Sequence, residues 1–356
     1  MKLRLLVALL ASVTACGAFS SDGTDAPGTG TGAMDAGTGT TDAGPDADAL
    51  APLGAPGPAA DLATGQQTPA DIVTDTASVY WLNRSSGGQL GSIMKLAKSG
   101  GTPVLLTDQI PGPYNMAADA THLYVTANDD AVQSSFLLLF RQDKAGGPAE
   151  KKQLNANGTI NGCTAHEGIV FFTQQLGGDN PIASVDGNSP AWAAAPVVTI
   201  PGTQVATTLL AADATYVYAA SAGSILRIGR ADGQSTVFAT TTGIAKAVVL
   251  DPDTSSLYWA DASAVRRLET GSPGGAPTDL ASDQPGPSAI AFDATTVYWT
   301  NVGTTPSGGS VRSVPKAGGI SRTISGSEVE PLGIAVDDSG VYWTNHGDGR
   351  IRVARK

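Results

Sequence analysis

Only two cysteines occur in this chain of 356 residues, Cys16 and Cys163, so no disulfide framework holds it together. Charge is sparse at 15% of residues, and lysine and arginine together number 21 against 32 acids, a formal net charge of −11. No basic tract interrupts that balance, which excludes the electrostatic footprint of a nucleic-acid binder or of a protein held on an anionic lipid surface. Three histidines are present, His122, His166 and His346, and no two have metal-ligand spacing. The chain has no G-x-S-x-G nucleophile turn, no calcium-hand loop and no haem-attachment motif, so neither a metal nor a cofactor is expected. The one apolar run near the start is too short to cross a bilayer as a mature helix, which needs about 20 apolar residues.

What the chain has in abundance is turn-forming residues, 44 Gly and 22 Pro. Lys2 and Arg4 precede an apolar stretch over residues 5–10, and Val13-Thr14-Ala15-Cys16 follows. This reads as a secretory signal peptide over residues 1–15. The tetrapeptide resembles the bacterial lipobox, and that resemblance implies a Cys16 carrying a diacylglyceryl thioether and an acyl amide, a multi-chain anchor. Gly17, in place of an Asp, points under the usual sorting rule to the outer membrane. Residues 16–59 are rich in Gly, Thr, Asp and Pro, with no Lys or Arg and a single aromatic, Phe19. Such a segment cannot bury enough apolar surface to offset the entropy of ordering, and is expected to be a disordered tether. Cys163 is then left alone, and is expected to be a buried, inert thiol.

From residue 61 onward one unit recurs. Its aromatic falls at Tyr80, Tyr124, Phe171, Tyr218, Tyr258, Tyr298 and Tyr342, and a period of about 40–45 residues is that of propeller blades. The expected fold is all-β, a seven-bladed propeller of four-stranded antiparallel blades over residues 60–356. Each unit opens on an innermost strand of small residues ending in an acid, such as Ile290-Ala291-Phe292-Asp293, where the acid accepts backbone N–H groups of the next turn. An aromatic strand follows, apolar on both faces because neighbouring blades cover both. Third and fourth strands are joined by K-x-G-G turns, Lys98 to Gly101, Lys144 to Gly147 and Lys316 to Gly319. The chain ends one strand short of a seventh blade, and Asp61-Leu62-Ala63, parallel to Asp279-Leu280-Ala281, supplies it from the other end.

Tyr258-Trp259-Ala260-Asp261, Tyr298-Trp299-Thr300-Asn301 and Tyr342-Trp343-Thr344-Asn345 resemble the YWTD repeats of the low-density lipoprotein receptor family. The resemblance spans residues 61–356 and implies a propeller. It departs from that family in having seven blades and no cysteine-rich modules, and it carries no ligand across. The chain also looks like secreted bacterial propeller lipoproteins with VYWTN and PKAGG repeats.

Function is expected on the face made by the loops that follow the aromatic strands, because loops of unequal length on a rigid ring suit recognition. The candidate ligand-binding residues there are Arg84, Asn128, Asn301, Asn345 and His346. The asparagines are equally suited to capping turns. The leading expectation is a non-catalytic, lipid-anchored binding or scaffold protein of the bacterial cell envelope, its partner an envelope protein or a glycan. One alternative is a glycoside hydrolase or lyase, for which Glu328 and Glu330, placed in the loop leading into the last inner strand, are the acid pair to inspect. The other is a purely structural repeat protein.

Overall fold

The structure, a computed structural model, describes residues 57–84, 90–129, 136–156, 159–175, 180–191, 194–200 and 210–356. Cys16 and the tether up to residue 56 lie outside the described residues, as do residues 85–89, 130–135 and 176–179 of the loops.

Seven antiparallel sheets are arranged as a propeller, six running from an inner strand outward in chain order and the last taking its outer strand from the N-terminal side. The inner strands are Pro69–Thr74, Pro113–Ala118, Thr159–His166, Leu210–Ala212, Ala247–Asp251, Pro287–Phe292 and Pro331–Val336, and they number blades one to seven. In blade four a single 14-residue strand, Tyr216–Gly229, fills both middle positions. Its first half pairs with the inner strand (Ala212↔Val217) and its second half with the outer one (Ile228↔Ser235), the corner lying at Gly223 with φ 78°. Every repeat aromatic sits on the second strand of its blade, and Thr296–Asn301 and Gly340–Asn345 are buried on both faces, as a strand sandwiched between blades requires. Trp81, Trp259, Trp299 and Trp343 are each fully buried and fill the space between blades.

The ring closes where expected. Ala60–Ala63 pairs antiparallel with Arg350–Arg355 and becomes the outer strand of blade seven, with Asp61 bonded to both Arg350 and Arg352. The outer strands run further than the sequence suggests. Val104–Ile110 and Arg322–Glu328 continue past bulges, with Gln109 and Ser327 at φ 62° and 58° turning the chain back onto the ladder. Glu328 therefore ends the outer strand of blade six, paired with Gly309, and not a free loop.

Two sets of side chains stitch blade to blade. On the lower face, each turn acid accepts backbone N–H groups as expected; Asp293 takes those of Thr295 and Thr296 at 2.9 and 2.8 Å. Its other oxygen accepts the Tyr298 hydroxyl at 2.7 Å, and Asp119 takes that of Tyr124 in the same way. The lysine of the following blade then reaches across. Lys98 pairs with Asp337, Lys144 lies 3.8 Å from Asp75, Lys316 pairs with Asp251 and Lys356 with Asp293. The glycines of the K-x-G-G turns have φ between 89° and 123°, so the residues after each lysine reverse the chain where an L side chain would be strained. Blade three breaks this pattern consistently. His166 stands where the acid would be, the matching aromatic is Phe171 without a hydroxyl, and Arg230 of blade four lies 4.9 Å above the Phe171 ring.

On the upper face the stitch is an acceptor between blades. Gln284 Oε1 accepts both Trp299 Nε1 and Asn301 Nδ2 at 3.0 Å. Gln66 does the same for Trp81 and Asn83, and Glu328 for Trp343 and Asn345. In blade two both donors are replaced by apolar residues, Val125 and Ala127, and the acceptor position by the buried Ile110.

Candidate functional site at the centre of the loop face

The second strand of a blade ends level with the start of its inner strand, as in Pro69↔Asn83, Pro287↔Asn301 and Pro331↔Asn345. Arg84, Asn128, Asn301, Asn345 and His346 therefore all lie on one face of the ring. Their side chains divide sharply. Asn301 and Asn345 are buried members of the stitch to Gln284 and Glu328. Asn128 is buried as well and clamps Ile160 of blade three by its main chain, accepting its N–H at 2.9 Å and donating to its carbonyl at 3.2 Å. All three side chains bond neighbouring strands or blades. His346 is half-buried; its main-chain N–H is bonded to the Glu330 carbonyl, and its Nδ1 is buried without a partner among the described residues.

Arg84 behaves differently. Its main chain is fixed by exchange with Thr68, whose carbonyl accepts its N–H and whose hydroxyl donates to its carbonyl. The guanidinium then extends over the ring of Tyr114 in blade two, 5.5 Å from the centroid, and donates to the Tyr114 carbonyl at 2.7 Å. That position puts it on the wall of a central cavity of about 280 Å³, to which the inner strands of all seven blades contribute.

Three charged groups line this cavity: Asp71 and Arg84 from blade one, and Lys246 at the start of the inner strand of blade five. Asp71 occupies the third position of its inner strand, where blades six and seven have Ala289 and Gly333. Its Oδ2 accepts the Met116 N–H at 2.8 Å and Asn115 Nδ2 at 3.0 Å. Asn115 in turn accepts the Cys163 N–H at 2.8 Å, so one polar relay joins blades one, two and three around the channel. Burial pushes the Asp71 carboxyl above its ordinary range, although the Arg84 charge and the bonds from Met116 and Asn115 pull the other way. The Cys163 thiol is buried and free, and burial, reinforced by the Asp71 charge, raises it so far that it stays protonated at neutral pH.

Of the residues that line this cavity, the sequence singled out Arg84 and not Asp71, Asn115 or Lys246. The available signal was the third position of the P-x-x openings, polar in Pro69-Ala70-Asp71 and Pro113-Tyr114-Asn115 and small in Pro287-Ser288-Ala289 and Pro331-Leu332-Gly333. The acid pair separates. Glu328 is fully buried and accepts four donors, from Ser325, Arg352, Trp343 and Asn345, whereas Glu330 is exposed with φ 50°. Among the described residues no group of three or more His, Cys, Asp and Glu is placed to hold a metal ion.

No protein-family model and no curated protein matches the chain. Among solved structures it is similar to a chain in the crystal structure of a nidogen/laminin complex, with 17% identity and a TM-score of 0.48, covering 65% of this chain and 88% of that one.

Proposed function

We propose that the protein is a non-catalytic binding or scaffold protein of a bacterial cell envelope, anchored by lipid at Cys16 and held off the membrane by residues 16–59. Its ligand, an envelope protein or a glycan, docks on the loop face of the propeller. The observation that carries this reading is how the two faces use their polar groups. On the lower face Lys98, Lys144, Lys316 and Lys356 are spent on neighbouring blades. At the centre of the loop face, Arg84 and Lys246 border an open cavity. The engagement of Glu328 by four donors supports a role for it in holding the ring in place of acid–base chemistry. Gly17 after the modified cysteine favours the outer membrane.

Two measurements test the reading. Cys16→Ala abolishes labelling by a fatty-acid analogue and leaves the signal peptide unprocessed by the lipoprotein peptidase; labelling that persists removes the anchor. Capture from an envelope extract by the intact protein, run beside a glycan array, identifies the ligand, and Arg84→Ala with His346→Ala weakens that capture while the fold is kept. Capture that is lost only on changing Lys98 or Lys316 would place the binding surface on the opposite face.

A further inference from the structure

We propose that the cavity at the centre of the loop face binds a carboxylate carried on a hydroxyl-rich ligand, the chemistry of an acidic sugar. This deepens the reading above and rests on the same face being the binding face.

The size of the site comes first. At about 280 Å³ the cavity is at the small end of ligand pockets, so it admits one sugar-sized group and not a folded segment. Its charge comes next. Two cations and one acid line it, in a protein whose formal net charge is −11. The cations stand on blades one and five, so an anion between them is approached from two sides of the ring. Both have donors to spare. Arg84 is braced by the Tyr114 ring and by the Tyr114 carbonyl through Nη2, and its Nη1 makes no hydrogen bond among the described residues. Lys246 is exposed, and its ammonium makes no hydrogen bond or ion pair among the described residues. A guanidinium donor left unpaired on the cavity wall can bond an arriving carboxylate, and such charge-assisted bonds are among the stronger ones.

Asp71 selects what carries that carboxylate. Its Oδ2 is occupied by Met116 and Asn115, and Oδ1 has no donor among the described residues. An oxygen of that kind calls for a ligand hydroxyl donating to it. The acid also disfavours a dianion such as phosphate, which would meet its charge in the same small space. A single negative charge with hydroxyls beside it satisfies Arg84, Lys246 and Asp71 together.

The test uses the intact protein and titrates D-glucuronate by calorimetry or by shifts of tryptophan and amide resonances. D-glucuronamide, D-glucose and acetate are run at the same ionic strength. Saturable binding of glucuronate is expected, with each control weaker by roughly tenfold or more, the scale of one charge-assisted hydrogen bond. Lys246→Gln, at an exposed position, reduces glucuronate affinity by about the same factor without shifting the melting temperature. Asp71→Asn narrows the gap between glucuronate and acetate. The proposal falls if glucuronate shows no saturable binding, if glucuronamide or acetate binds equally well, if Lys246→Gln binds as wild type, or if a peptide's free C-terminal carboxylate binds more tightly. An envelope partner captured equally by wild type and by Lys246→Gln would leave the loop-face reading standing and overturn this one.

Discussion

The ammonium of Lys316 lies 2.5 Å from Oδ2 of Asp251, on the preceding blade, and both side chains are buried. Phe292 covers the lysine, with its ring centroid 4.5 Å from Nζ. A turn residue of one repeat thus completes the turn of the repeat before it. The same relation recurs at Lys98–Asp337, which joins the first blade to the last, and at Lys356–Asp293.

Breaking this pair from the lysine side strands a carboxylate with no exposure to water. Lys316→Ala is expected to cost about 3–5 kcal/mol in denaturant unfolding, and adding Asp251→Asn to recover part of the loss. Lys246→Ala, an exposed change on the other face, is expected to stay within about 0.5 kcal/mol. Equal effects of the two lysine changes would show that the staple contributes nothing.

The tryptophans differ in a way that hydrogen bonding alone explains. Trp299 Nε1 donates to Gln284, while Trp259 Nε1 is buried without a partner among the described residues. Both rings lose similar volume on replacement by Phe, but only Trp299→Phe also removes a formed hydrogen bond, leaving Gln284 Oε1 with Asn301 as its donor. It should therefore cost about 1–2 kcal/mol more than Trp259→Phe. Trp343→Ala, which empties the gap between blades, is expected to cost about 3–5 kcal/mol. Unfolding midpoints of the three variants, compared at a common denaturant dependence, check the order.

Acid should loosen the seam between blades six and seven. Burial by itself would raise the Glu328 carboxyl, but the bonds from Ser325, Asn345, Arg352 and Trp343 together outweigh it and hold the group below its ordinary range. A folded-state value below the unfolded one gives stability that is fully present above the unfolded value, about 4.3, and is lost as pH falls through the folded value. Glu328→Gln keeps an acceptor like Gln66 and Gln284 while losing the charge. Its stability should fall less steeply than that of wild type below about pH 5. Parallel pH profiles for the two proteins would exclude Glu328 as a source of acid lability.

Removing the closing strand should open an edge. A chain beginning at Gly65 lacks the pairing of Ala60–Ala63 with blade seven and the Asp61 bonds to Arg350 and Arg352. It should melt at lower temperature and self-associate through the exposed Arg350–Arg355 strand, whereas a chain beginning at Gly57 keeps both properties of the full domain. Equal melting temperatures for the two chains would mean that closure does not depend on this strand.

The period of the aromatics, the small inner strands, the turn acids and the parallel between Asp61-Leu62-Ala63 and Asp279-Leu280-Ala281 were enough to specify seven blades and how the ring closes. These are local signals repeated in register, and repetition makes them readable in several blades at once. What crosses from one blade to the next was hidden, because no spacing within a repeat says which neighbour a side chain will meet. The lysine of K-x-G-G looked like turn chemistry until packing set Lys316 against Asp251. Glu328 looked like a loop acid until a bulged outer strand carried it to Trp343 and Asn345. Asp71 and Asn115 share the third position of a P-x-x opening, Lys246 belongs to no such opening, and the three stand on three different blades. Only closure of the ring, which brings all seven inner strands to one axis, turns them into the wall of a single cavity.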